Sequence, residues 1–211
     1  MSTTDGPEDI TKTPRRTREE TKASNRAAII EAARHVFAEL GYGATTVRDI
    51  IRATDLASGT FYNYFKSKEE VFEAIQDETA LRLRPRLRAE RIRARDFEAF
   101  VSGSFRTFFD HIYTDRKAFT MMRQPVHMRF RVDTPEVLAG FDELRTDIKA
   151  AIETGVLPCT DADLLMAAFV GVAFEVGERL LQRDDLTVKA AAEFATKLFL
   201  GGIHALPKAP Q

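Results

Sequence analysis

The chain has 211 residues, of which 44% are hydrophobic and 30% charged, and its formal net charge at pH 7 is -1. This composition is typical of a globular protein, and the length allows one small and one larger core. The near-zero charge excludes nucleic-acid binding through overall charge, so any DNA contact must use a local basic patch. Residues 11–70 hold 11 Lys and Arg against 8 Asp and Glu, which is a mild surplus.

Cysteine usage and hydropathy bear on the cellular compartment. Cys159 is the one cysteine, which rules out an internal disulfide and is compatible with a reducing cytoplasm. No apolar run reaches the roughly 18–20 residues of a membrane span. The first twenty residues are polar, unlike a signal peptide. We therefore expect a cytoplasmic protein.

The first segment, residues 1–21, lacks hydrophobic periodicity and is rich in Thr, Pro and charge, so we predict a disordered arm. Its basic side chains, and one next to it, could contact a DNA minor groove or backbone, or stay solvated as a plain tail. They are Lys12, Arg15, Arg16, Arg18 and Lys22.

Two helices are predicted next. Apolar residues at helical spacing from Asn25 to Leu40 indicate the first helix, and Gly41 ends it because glycine readily adopts a left-handed cap. The second begins at Thr46, whose hydroxyl can cap the backbone, and stops near Thr54.

The third and fourth helices follow closely. The third spans Ser58–Phe65, with Phe61 pointing inward. Ser67 and Glu70 form a predicted capping box for the fourth, which extends to about Ile92.

The far half of the fourth helix contains seven arginines between Arg82 and Arg95, and Pro85 is expected to bend it. The arginines are either a second phosphate-binding patch or a surface paired with nearby acids.

The rest of the chain is also predicted to be helical, which makes the fold all-α. The later predicted helices are 97–113, 116–123, 135–154, 161–182 and 187–206. The expected domains are a helix-turn-helix unit at 22–70 and a helical effector-binding and dimerisation unit at 71–206, followed by a tail at 207–211.

The exposed face of the third helix is suited to DNA. A helix-turn-helix presents short side chains of its second helix to base edges. Asn63 could pair with an adenine, and Tyr62 and Tyr64 could reach phosphates. Lys68 would add charge at the next helix start. The alternative is an ordinary short connecting helix with exposed polar residues.

The motifs here are a helix ending in Gly-Tyr-Gly, then Thr-Thr-Val-Arg-Asp-Ile, then Gly-Thr-Phe-Tyr-Asn-Tyr-Phe, then Lys-Ser-Lys-Glu. In these motifs residues 25–75 resemble the TetR (tetracycline-repressor-like) family of bacterial regulators. The resemblance implies a homodimeric, ligand-responsive repressor that binds a near-palindromic double-stranded DNA operator. It also implies the DNA-contacting set Thr46, Arg48, Ser58, Gly59, Thr60, Tyr62, Asn63, Tyr64 and Lys68.

The turn departs from the family pattern at two positions. Asp55 stands where a glycine is common, and Ala57 where a capping Ser or Thr is common. The missing cap leaves two possible substitutes, Asp55 and Ser58, at the start of the recognition helix.

The second half of the chain is rich in phenylalanine and methionine, which could line a cavity for an apolar or aromatic effector. Plain core packing is the alternative. The candidate lining residues are Phe105, Phe108, Phe109, Phe119, Met121, Met122, Phe130, Phe141 and Phe169. His111 and His127 could add polar contacts or be structural.

The last two predicted helices carry long apolar stripes, more than one buried face needs, so we expect a homodimer through them. The stripes are Leu164, Ala168, Gly171 and Phe174 on one helix, and Ala191, Ala195, Leu198 and Gly202 on the other.

Catalysis has little support, because the sequence has no HExxH, no Cys–His spacing and no Gly-rich phosphate loop. We expect no enzyme, no cofactor and no metal site. Two alternatives to the ligand-responsive repressor remain. One is a sequence-tolerant DNA binder or activator without an effector, and the other is a helical interaction protein with a degenerate DNA-binding segment.

Overall fold

The computed structural model describes residues 17–116, 119, 134–158 and 160–206. Every regular element in these ranges is a helix, which confirms the predicted all-α fold. The helices with described bounds are α1 (Arg18–Leu40), α2 (Val47–Arg52), α3 (Ser58–Tyr62), α4 (Lys68–Arg93), α5 (Phe97–Thr114), α6 (Pro135–Glu153), α7 (Ala162–Gln182) and α8 (Val188–His204).

The first helix begins earlier than predicted, so residues 18–21 of the expected disordered arm are helical. The cause is a capping box. The Thr17 hydroxyl accepts from the Glu20 N–H at 3.2 Å, and the Glu20 carboxylate accepts from the Thr17 N–H at 2.7 Å. Residues 1–16 and most of the predicted helix 116–123 lie outside the described residues.

The caps of α2 and α3 differ from each other. Thr46 and Asp49 form a capping box on α2, which confirms Thr46 as the predicted cap. Ala57 is the N-cap of α3 and provides no side-chain acceptor. The helix starts at Ser58, and its first turn is closed by a backbone hydrogen bond in which the Thr60 N–H donates to the Ala57 carbonyl at 2.8 Å. The helix ends at Tyr62, three residues before the predicted end.

The cap of α4 is half of the predicted capping box. The Ser67 hydroxyl accepts from the Glu70 N–H at 3.4 Å, as predicted. The Glu70 carboxylate instead accepts from the Lys66 N–H, one residue further out, at 2.7 Å. The helix continues on both sides of Pro85 and ends at Arg93.

Two buried hydrophobic clusters organise the molecule. The first cluster joins α1, α2, α3 and the start of α4, and the second joins α5 to α8. Val71, Phe72 and Ile75 of α4 belong to the first cluster. The expected domain boundary after residue 70 therefore cuts through a packed core, because the first turns of α4 complete that core.

The arginines of α4 that face α6 are engaged in ion pairs. Arg84 pairs with Glu136 and, at 2.7 Å, with Glu143. Arg91 pairs with Glu143 at 2.8 Å and with Asp147 at 2.5 Å. These contacts favour the paired-surface interpretation of the segment over a second phosphate-binding patch.

Lys68 holds the turn between α1 and α2. Its Nζ donates to the carbonyls of Tyr42 and Thr45, both at 2.8 Å, and lies 4.6 Å from the centre of the Tyr42 ring. Its role as a phosphate contact stays a prediction, and in this structure the ammonium donors are directed at backbone carbonyls. Lys68 fixes where α2 starts relative to α1.

We expect Lys68→Met to lower the free energy of unfolding by about 1–3 kcal/mol, because it removes hydrogen bonds from a charged donor to two carbonyls. Urea denaturation followed by circular dichroism measures the change. Lys66→Met is the matched control, since Lys66 is exposed on the same segment, and it should stay within about 0.5 kcal/mol of the unaltered protein. Equal stability of the two variants would contradict the structural role of Lys68.

Candidate functional site

The exposed face of α3 carries the small and polar side chains that were predicted to contact DNA. Ser58, Gly59 and Asn63 are exposed, and Tyr62 retains 59% of its accessible surface. Phe61, by contrast, is only 1% exposed and packs in the first cluster. The helix therefore separates a core face from a face that is free for a partner.

Gly59 stands out on this face because the fold does not require a glycine there. A Cβ built at Gly59 would meet no atom of the protein within 4 Å. Its backbone lies in the first turn of a regular helix. The missing side chain thus leaves room in front of the backbone, where an external partner could approach closely.

Other members of the predicted set are less free. Thr60 and Tyr64 are half-buried, and Tyr64 packs against the first cluster. The Thr46 hydroxyl donates to the Asp49 carboxylate at 2.6 Å, and this bond lowers the pKa of Asp49. Thr46 is exposed, yet its hydroxyl is already engaged in capping α2.

One exposed cation in this region, Arg52, was missed in the sequence. Arg52 follows Arg48 by four residues on α2, so both lie on one side of that helix, and both are exposed. Lys66 is exposed just before α4. The four-residue spacing of the two arginines was a readable signal for a basic stripe.

A cavity of about 220 Å³ lies between α4, α5, α6 and α7. Four of the predicted effector-binding residues line it, namely Phe105, Phe108, Phe141 and Phe169. Phe109 does not line it: the side chain is fully buried and stacks on Phe105 with ring centroids 5.9 Å apart. Phe119 is likewise core, against Phe108. Met121, Met122 and Phe130 lie outside the described residues.

The cavity wall also contains a few polar groups. Gln76, Thr79 and Ser104 line it and are almost completely buried. His111 lines it too, and burial lowers its pKa, with the nearby Arg86 acting in the same direction. The imidazole is therefore neutral at pH 7. His127 lies outside the described part of the chain.

At its rim the cavity meets the ion pairs between α4 and α6. The Arg84 guanidinium lowers the pKa of Glu143, so this carboxylate stays ionised at neutral pH.

Gln76 was missed at the sequence level, since a lone glutamine in a long polar helix gives no sign that it faces a cavity.

Exposed apolar residues remain on α7 and α8. Leu164, Phe194 and Leu198 keep 71%, 59% and 53% of their accessible surface. The predicted Ala168, Gly171 and Gly202 are exposed beside them.

Three residues of the predicted dimer stripes are part of the core instead. Ala191 and Ala195 are fully buried, and Phe174 contacts Phe108 with ring centroids 5.4 Å apart. The reason is rotation: at about 100° per residue, the Ala191 stripe straddles the border between the buried and exposed faces of α8. Phe194, which was missed, lies well inside the exposed face.

The described ranges show neither a metal-binding cluster nor a membrane-spanning helix. These residues contain no group of three or more His, Cys, Asp or Glu that could hold a metal ion. Nor does any helix within them have the length and apolarity needed to cross a bilayer.

Residues 29–75 match the family of bacterial regulatory proteins described as the tetR family. Over 53 residues the chain is 43% identical to the HTH-type transcriptional repressor KstR2 of Mycolicibacterium smegmatis, which covers 25% of this chain. The match spans only about a quarter of that repressor, 26% of its length.

Solved structures extend the likeness over most of the chain. The fatty acid degradation regulator FadR from Bacillus halodurans is 26% identical, with a TM-score of 0.73 over 85% of this chain and 96% of the other. FadR from Bacillus subtilis, solved in complex with stearoyl-CoA, is 23% identical, with a TM-score of 0.72 over 84% and 99%, and shares the fold. With its helix-turn-helix, the matched segment 29–75 is similar to the tetR family of bacterial regulatory proteins, and the solved structures extend this likeness in fold to most of the chain.

Proposed function

We propose that the protein is a transcriptional repressor that binds a near-palindromic DNA operator as a homodimer and is released by a small, largely apolar effector. The observation that carries this proposal is the exposed face of α3, where Gly59, Tyr62 and Asn63 stand free while Phe61 anchors the helix in the core. A cytoplasmic site of action follows from the proposed DNA partner.

The proposed DNA contacts divide into two kinds. Asn63 has the amide that pairs with the two polar atoms of adenine in the major groove, so it would read sequence. Tyr62, Arg48, Arg52 and Lys66 are exposed and would contact phosphates, which position the protein without reading bases. The ion pairs of Arg84 and Arg91 weaken the alternative in which the Arg-rich segment dominates DNA binding.

The fourth helix is the proposed route from effector to DNA. Ile75 is buried in the first cluster, and the next residue, Gln76, lines the cavity. Two residues after Gln76, Glu78 pairs with Arg34 of α1 at 3.2 Å and with Arg26 of the same helix at 3.4 Å. A ligand that shifts α4 would therefore also shift the helix-turn-helix, which is a coupling between two sites.

The proposed dimer would form through the exposed apolar residues of α7 and α8. Leu164, Phe194 and Leu198 would each lose unfavourable water contact when a second copy covers them. A two-fold dimer would set two copies of α3 about one helical turn of DNA apart, roughly 34–36 Å.

The effector is proposed to occupy the cavity lined by Phe105, Phe108, Phe141 and Phe169, whose wall is mainly apolar. The Bacillus subtilis FadR structure holds stearoyl-CoA, so a long-chain acyl group is one apolar candidate. At 23% identity that likeness supports the fold and leaves the ligand to experiment.

Gly59→Ala tests the DNA interface directly. We expect unchanged or slightly raised stability, by up to about 1 kcal/mol, because the new methyl meets no protein atom and alanine favours helix. Affinity for the operator, identified first by genomic footprinting, should fall at least about tenfold, because the methyl would stand between the backbone and DNA. Fluorescence anisotropy with the operator duplex measures it.

The companion variant Asn63→Ala should lower the ratio of operator affinity to scrambled-duplex affinity by a factor equivalent to about 1–3 kcal/mol. Tyr62→Phe should weaken both duplexes alike, since it removes a phosphate contact. Full operator affinity in Gly59→Ala, together with an unchanged ratio in Asn63→Ala, would refute the assignment of α3 to DNA.

Phe194→Glu and Leu198→Glu should each convert a dimer to a monomer, because a carboxylate would be buried in the apolar contact. Sedimentation velocity at micromolar concentration measures the change. Ile92→Glu is the matched control, since Ile92 is 78% exposed on α4 and outside the proposed interface. A monomeric unaltered protein, or a control variant that dissociates equally, would contradict the proposed interface.

A further inference from the structure

Gln76 is a buried polar side chain without a complete set of partners. It is 3% exposed, and its Nε2 makes no hydrogen bond within the part of the chain that the structure describes. The same side chain lines the cavity between α4, α5, α6 and α7. A buried N–H group without an acceptor is costly and rare in native proteins, so its position against a cavity points to an acceptor that enters from outside.

The neighbouring polar groups differ from Gln76 in this respect. The Thr79 hydroxyl, one turn further along the cavity wall, already donates to the Ile75 carbonyl at 2.8 Å. Ser104 lines the cavity from α5 and is 6% exposed, so a second hydroxyl can contact the same occupant. Within the described residues, the Gln76 amide and the Arg84 Nε are the buried donors of this wall that have no hydrogen-bond partner, and the amide is the uncharged one.

The charged groups of the wall disfavour an anion. Arg84 is engaged by Glu136 and Glu143, and Arg91 by Glu143 and Asp147. All five groups line the cavity, and carboxylates outnumber guanidinium groups. The Arg84 Nε has no acceptor within the described residues, but the surplus carboxylate gives these five groups a net negative charge, which disfavours an anionic ligand. His111 adds no charge at neutral pH, since burial lowers its pKa.

The volume of the cavity indicates the bulk of the part of a ligand that it can enclose. A cavity of about 150 Å³ is large enough for benzene. The present cavity is about 220 Å³, so it suits a substituted ring or a branched chain of similar bulk.

We propose that Gln76 recognises the effector by donating from Nε2 to one acceptor oxygen, such as a ketone or ester carbonyl, of an otherwise apolar and neutral molecule. This inference rests on the proposed effector site and names its ligand class. Free carboxylic acids are excluded from the class because they are ionised at neutral pH and would be repelled by the surplus carboxylate of the wall.

Three probes of matched size test the inference on the full chain by isothermal titration calorimetry. Acetophenone has the ring and the carbonyl, isopropylbenzene has nearly the same shape without an acceptor, and benzoate carries the negative charge. Gln76→Met removes the donor while keeping the length of the side chain. It should reduce acetophenone affinity relative to isopropylbenzene affinity by about three- to tenfold.

Benzoate should bind the unaltered protein at least about tenfold more weakly than acetophenone. Thr79→Val is the matched control, because it removes a cavity hydroxyl whose donor is already used, and it should leave the affinity ratio unchanged. Gln76→Leu is a second variant without a donor, and it should lower the ratio of acetophenone affinity to isopropylbenzene affinity in the same way. Melting temperatures of all variants establish that they fold.

An affinity ratio that is the same in the unaltered protein and in Gln76→Met would overturn the inference. So would benzoate binding as tight as that of acetophenone, or the failure of both neutral probes to bind. Operator binding is measured on the same preparations without probe. A protein that fails to bind DNA contradicts the proposed function alone. If DNA binding is unaltered, but the ratio of acetophenone affinity to isopropylbenzene affinity is the same in the unaltered protein and in Gln76→Met, only the role of Gln76 is contradicted.

Discussion

The continuity of α4 is the constraint on which the remaining structure depends. Its first turns supply Val71, Phe72 and Ile75 to the core of the helix-turn-helix, while Gln76 and the residues after it form one wall of the cavity. Lys68, at its first turn, holds the chain between α1 and α2. Because one hydrogen-bonded helix serves both clusters, neither can shift along this axis without affecting the other. This arrangement is what makes coupling between a cavity and a DNA-facing helix physically reasonable.

Ion pairs join the outer half of α4 to α6. The side chains of Arg84 and Arg91 are 27% and 23% exposed, so each guanidinium has lost part of its hydration. Partly buried pairs of this kind add little net stability, because desolvation offsets attraction, but they are specific in geometry. They fix the position of α4 along α6 while leaving the apolar space behind them unfilled. The ion pairs join α4 to α6 at the edge of the cavity, so no side chain has to fill its interior to hold the two helices together.

The surface of α8 illustrates how one helix can serve two apolar contacts. Ala191 and Ala195 are small and completely buried against the second cluster, whereas Phe194 and Leu198 are large and exposed. The proposed dimer would cover these large apolar groups on the outer face, and the small ones on the inner face allow the helix to approach its neighbours closely.

Local signals in the sequence determined the helical fold, the helix-turn-helix and most of the residues on its outer face. Thr46 as a cap, Gly41 as a stop and Phe61 as the inward residue of α3 are all read from neighbours within a few positions, since caps and helical periodicity are short-range effects. Three assignments needed the tertiary structure. The Lys68 ammonium donates to carbonyls more than twenty residues away, the Phe109 ring stacks behind Phe105, and the Gln76 side chain lines the cavity. Each depends on which distant residue packs opposite, and periodicity along one helix carries no information about what its neighbours present.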